Sequence, residues 1–89
     1  ENALSLLDEP ENSLSPQKQM ELVCFLEDSA RFYGCQFIIA THSPFVLSVK
    51  NAQIYDFDSC HAAVKRWTEL ENVRVYYNFF KQRRADFEK

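Results

Sequence analysis

The chain is 89 residues long, 46% of them hydrophobic and 15% aromatic, enough for at most one small domain. Ten basic side chains against thirteen acidic ones leave a net charge of −3, so bulk charge does not demand nucleic acid, and only a local basic patch stays open. No apolar run approaches the roughly 20 residues of a membrane span, no secretory leader is legible, and three widely spaced cysteines without a CxxC pair read as reduced, mostly buried thiols of a cytoplasmic protein.

The chain opens at Glu1 rather than Met and enters a strand-like run at once, which reads as a piece of a longer protein. Ala3 to Leu7 shows little alternation, so a strand buried on both faces is expected. Pro10 ends it, and a loop runs to Ser15. Ser15 suits an N-cap and Pro16 the first helical position. Met20, Val23, Leu26, Ala30 and Tyr33 follow at three- and four-residue steps, which predicts a helix over Pro16 to Tyr33 with those side chains on its apolar face. Gly34 suits the stop.

Gln36 to Thr41 reads as a second buried strand, completing a βαβ unit with parallel strands and a right-handed crossover. Ser43-Pro44 repeats the N-cap signal and opens a short helix to about Ser48. Ala52 to Phe57 is a third strand. Ser59 to Trp67 is ambiguous, with "AVKRW" readable as an edge strand. Thr68 to Glu71 has the form of a capping box, and Leu70, Val73, Tyr77 and Phe80 continue at helical spacing. Lys81 to Arg84 place positive charge at the helix end, where the macrodipole favours it.

Chemistry is concentrated at two predicted strand ends. Asp8 and Glu9 follow the first strand, and Thr41, His42 and Ser43 follow the second. Ligands of parallel α/β sheets bind beyond the carboxyl ends of the strands, so neighbouring strands would put both clusters on one rim. A carboxylate pair beside a histidine suits phosphoryl transfer. Mg²⁺ keeps several waters and needs few protein oxygens, and a base must reach a water in line with phosphorus. Taken alone, Asp8-Glu9 reads as a pair of solvated strand-end acids; the following proline and the downstream histidine shift the reading to chemistry. The cluster of Tyr76, Tyr77, Phe79 and Phe80 reads as packing rather than base stacking, and Lys81, Arg83 and Arg84 as a solvated helix end. Cys24, Cys35 and Cys60 read as core fillers and His61 as a surface residue. Gly34 is the single glycine, so no glycine-rich phosphate loop is present.

"LLDEPENSLSP" followed about 30 residues later by "IIATHSP" resembles the Walker B, D-loop and H-loop region of the ABC-type ATPases. The wording is closer to soluble DNA-repair-like and phage-defence ATPases than to transporters, and most similar to small AAA-type (AAA_21-like) ATPases. "THSPFVL", "AQIYDFD", "WTELENV" and "YYNFF" extend the resemblance over nearly the whole chain. The resemblance implies an α/β fold, the C-terminal half of a P-loop NTPase of the ABC type with parallel strands and flanking helices. Residues 1–89 would form a partial ATPase domain, with the phosphate loop and signature motif in a missing N-terminal half. It further implies that Asp8 binds Mg²⁺, that Glu9 is the general base and that His42 contacts the γ-phosphate. Asn12, Ser13 and Leu14 would form the D-loop of a head-to-tail ATP-sandwich homodimer. Ser15 departs from the transporter pattern, which has Asp there. The implied activity is hydrolysis of ATP by the full-length protein, with this piece inactive alone. Two alternatives stand beside it: a non-catalytic interaction fragment, and the nucleotide-binding subunit of a transporter. A DNA or effector-protein partner stays open.

Overall fold

The computed structural model describes residues 4–57 and 63–88. They fall into two compact units, Glu1–Ala52 and Gln53–Lys89.

The first unit is a βαβ arrangement. Strand β1 (Leu4–Asp8) leads into helix α1 (Pro16–Tyr33), which returns to strand β2 (Gln36–Ala40). The strands pair in parallel, Leu4 opposite Gln36 through Asp8 opposite Ala40. The helix limits follow from the residues the sequence singles out. Ser15 Oγ accepts the amide of Lys18 at 3.2 Å, satisfying a donor the first turn leaves open. Gly34 ends the helix at φ 68°, ψ 20°, a left-handed conformation that costs a residue with a Cβ. After β2, the Ser43 hydroxyl accepts the amides of Phe45 and Val46, each at 3.2 Å. The predicted short helix there is a single 3₁₀ turn, Val46–Ser48.

Packing departs from the sequence expectation in two ways. Both strands alternate between exposed and half-buried residues, so burial on both faces is not what this unit shows. Leu7, Phe37 and Ile39 are half-buried, whereas Leu4, Leu6 and Ile38 are exposed at 61%, 73% and 62%. Helix α1 buries Val23, Leu26 and Ser29; Met20, Ala30 and Tyr33 of the predicted stripe are exposed. Gln19 and Leu22 beside this face are half-buried, and at the helix end the Ser29 carbonyl accepts the amide of Cys35 at 3.2 Å. Cys24 is exposed and Cys35 half-buried, so the expectation of buried thiols fails at Cys24. Cys60 and His61 lie outside the described residues.

The second unit begins with strands β3 (Ile54–Asp56) and β4 (Ala63–Lys65), paired antiparallel with Ile54 opposite Lys65. The third predicted strand thus enters a separate two-stranded sheet rather than extending the parallel one. Lys65 Nζ lies 2.8 Å from an Asp56 carboxylate oxygen, and that hydrogen bond, reinforced by the charge of Asp56, raises the lysine pKa. A 3₁₀ turn (Trp67–Glu69) precedes helix α2 (Glu71–Gln82), and α3 (Arg84–Phe87) follows.

Thr68 is not the helix cap. The residue before α2 is Leu70, without a side-chain cap. Glu69, two residues before the acid of the predicted box (Glu71), instead accepts the amide of Arg66 at 2.9 Å and its guanidinium at 3.4 Å. These two bonds hold the Glu69 carboxyl below its ordinary pKa, the backbone bond being the larger cause. Leu70 and Val73 are buried, but Tyr77 and Phe80 are exposed, so the predicted apolar face is buried only in its first turn.

Candidate functional site

Parallel pairing brings the two polar strand ends together. Asp8 sits opposite Ala40, and the Glu9 amide donates to the Ala40 carbonyl at 2.7 Å. His42 comes two residues after Ala40. Asp8, Glu9 and His42 therefore share the carboxyl-end rim of one two-stranded sheet, and all three are exposed.

The backbone turns sharply where the sequence places the acidic doublet. Asp8 is the last residue of β1, while Glu9 has φ 47°. A left-handed glutamate is disfavoured by about 1–2 kcal/mol. The strand conformation therefore ends at Asp8, and Glu9 begins the loop. Pro10 follows, and the loop closes through the Asn12 amide on the Glu9 carbonyl (3.1 Å) and the Leu14 amide on the Glu11 carbonyl (2.9 Å). Ser13 is also left-handed, at φ 69°. Asn12 and Ser13 are exposed and Leu14 is half-buried, so the loop presents its tip to solvent.

Sequence reasoning missed the residues that tie the two loops to each other. Thr41 Oγ1 donates to Glu11 Oε1 at 2.7 Å and accepts the Ser43 amide at 3.0 Å. The Ser43 hydroxyl donates to Gln19 Oε1 at 2.5 Å, and Gln19 Nε2 donates to the Leu14 carbonyl at 3.0 Å. Ser43 is buried; Glu11, Gln19 and Thr41 are half-buried. The signal was available only in part. Thr41 and Ser43 stand out as polar residues at a strand end, but Glu11 and Gln19 look like ordinary loop and helix-surface residues until the loops are folded together.

The rim offers exposed carboxylates at Asp8 and Glu9. Among the described residues no group of three or more His, Cys, Asp or Glu side chains could hold a metal ion. Mg²⁺ bound with a nucleotide takes one or two carboxylates plus phosphate oxygens and keeps waters. An exposed carboxylate at a strand end, as Asp8 is, fits that requirement. Also among the described residues, no helix is long and apolar enough to cross a membrane.

A family model described as "AAA domain, putative AbiEii toxin, Type IV TA system" matches residues 2–48, the stretch that holds β1, α1, β2 and both loops. No curated protein and no solved structure matches the chain.

Proposed function

The chain belongs to this AAA-domain family, and from that premise we propose that it is the C-terminal half of an ABC-type ATPase domain that hydrolyses ATP. Membership points to nucleotide binding and ATPase-type activity; the finer assignment rests on the rim. One observation carries it: the parallel register of β1 and β2, with the Glu9 amide on the Ala40 carbonyl, sets an acidic doublet and a histidine at the same sheet end.

Asp8 would hold Mg²⁺, which when bound offsets the negative charge on the β- and γ-phosphate oxygens. Glu9, the exposed first residue of the loop after β1, orients the attacking water and takes its proton as the oxygen attacks phosphorus. The bond to the ADP oxygen breaks, leaving ADP and phosphate. His42 donates to the γ-phosphate and so registers whether it is present. Electrostatic positioning supplies most of the acceleration in such reactions. The chain's only glycine is Gly34, so the backbone cradle for the phosphates is assigned to the other half of the domain. The loop of Asn12, Ser13 and Leu14 is assigned to a second copy across a head-to-tail homodimer. The open apolar face of Leu4, Leu6 and Ile38 supports this division, since two parallel strands rarely stand alone and parallel sheets are covered on both faces.

The test is Glu9→Gln in the full-length protein. The variant retains bound ATP and turns over at least roughly a hundredfold more slowly, the scale of losing a general base. Turnover at the wild-type rate refutes the assignment. A second reading, a non-catalytic docking fragment, is favoured by the exposed Tyr76, Tyr77, Phe79 and Phe80 of α2. It predicts that Glu9→Gln changes no measured activity while substitutions in α2 abolish partner capture.

A further inference from the structure

The loop after β1 and the loop after β2 each divide their residues between two jobs. Asp8, Glu9 and His42 are exposed, whereas Glu11, Thr41 and Ser43 are half-buried or buried and hydrogen-bonded to one another or to α1. His42 lies between Thr41 and Ser43, both of which are fixed. Thr41 is held on one side by the Glu11 carboxylate at 2.7 Å and on the other by the Ser43 amide at 3.0 Å. Glu11 lies two residues beyond Glu9, with only Pro10 between them, and proline has few backbone states. A charged acceptor on a hydroxyl makes a stronger bond than a neutral one.

We propose that Glu11 and Thr41 are positioning residues: their hydrogen bond sets the spacing between Glu9 and His42. Gln19 extends the same network to the tip of the first loop, through Ser43 on one side and the Leu14 carbonyl on the other. Glu11 is therefore not a third reactive carboxylate. One of its oxygens is committed to Thr41, and it acts through the two loops. This inference rests on the reading of Glu9 and His42 given above, and it adds residues to which that reading assigns no role. A displacement of about 1 Å between reacting groups can cost roughly a hundredfold in rate, so a hydrogen bond spanning the two loops has leverage on turnover.

The experiment is steady-state ATP hydrolysis by the full-length protein carrying Thr41→Val, Thr41→Ser, Glu11→Ala, or Thr41→Val with Glu11→Ala, beside Glu9→Gln. Thr41→Val and Glu11→Ala each lower kcat by roughly tenfold or more, with KM within about twofold. Thr41→Ser, which keeps the hydroxyl, restores kcat. The double variant is no worse than the more impaired single one, because both remove the same bond. A purely structural role would lower thermal stability and leave kcat of the folded fraction unchanged. Unchanged kcat in Thr41→Val, a loss that Thr41→Ser does not restore, or additive losses would each overturn the proposal while Glu9→Gln stays inactive. If Thr41→Val does not fold, Glu11→Ala decides by the same readout. Normal turnover in Glu9→Gln removes the underlying reading, and this inference falls with it.

Discussion

At the scale of single residues, the site combines exposure with local backbone strain. Glu9 occupies a left-handed conformation that glycine adopts without a steric penalty. Glu9→Gly is therefore expected to preserve or raise stability, by up to about 1 kcal/mol, while abolishing hydrolysis. Thermal unfolding and ATPase assays of the same preparation check both halves, and a drop in stability would show that the Glu9 side chain contributes to folding. Asp8, with ordinary strand geometry, gains no such relief from glycine. The acidic doublet and the histidine were legible because their residue types sit directly against strand-ending signals, Pro10 and Ser43-Pro44. The roles of Glu11 and Gln19 were not, since they depend on which loop meets which. The exposed Cys24 shows the same limit: cysteine composition favours burial, but the face of α1 that turns inward holds Val23, Leu26 and Ser29.

At the scale of elements, local chemistry sets the limits of α1 and tertiary structure sets its packing. Ser15→Ala removes the cap of α1 and is expected to cost about 1 kcal/mol, and Gly34→Ala a similar amount through its left-handed backbone. Both are read by chemical denaturation, and an unchanged midpoint would remove the capping account. These boundaries were legible because capping and stop residues act within one turn of chain. The start of α2 was not. Thr68 lies inside the 3₁₀ turn Trp67–Glu69, where Glu69 accepts the Arg66 amide, and α2 begins after Leu70 without the predicted Thr68 cap. The lowered pKa of Glu69 gives its contribution a sign. The contribution is present above the ordinary carboxylate pKa and is lost as pH falls through the depressed folded value. Glu69→Gln is expected to flatten that part of the acid limb of a stability–pH curve, by a small amount at so exposed a site. The raised pKa of Lys65 has the opposite sign, its contribution being complete below the ordinary lysine pKa and lost as pH rises through the folded one. Acid and alkaline limbs that are unaffected by Glu69→Gln and Asp56→Asn, respectively, would refute these two couplings.

At the scale of the whole molecule, many large apolar side chains of the described residues are exposed. Leu4, Leu6 and Ile38 line one sheet face, and Phe25 and Phe32 stand out from α1. Leu6 and Ile38 are neighbours across the strand pair, and exposed apolar neighbours on a small chain favour association. Residues 1–89 alone are accordingly expected to self-associate, and Leu6→Lys to reduce that association, as read by light scattering; a monodisperse monomer with Leu6 intact would contradict this. The αβ character and the parallel pairing of the first unit were legible from strand–helix–strand spacing. The antiparallel pairing of β3 with β4 was not, because three-residue strands carry too little periodicity to choose a partner. The central claim is that Asp8, Glu9 and His42 surround a single metal-bound triphosphate, and the most direct measurement uses Mn²⁺ as a paramagnetic probe. In the full-length protein saturated with ATP and Mn²⁺, the imidazole resonances of His42 should broaden, and Asp8→Asn should restore their sharpness. Sharp His42 resonances in the wild-type protein, with nucleotide and metal both bound, would contradict the account.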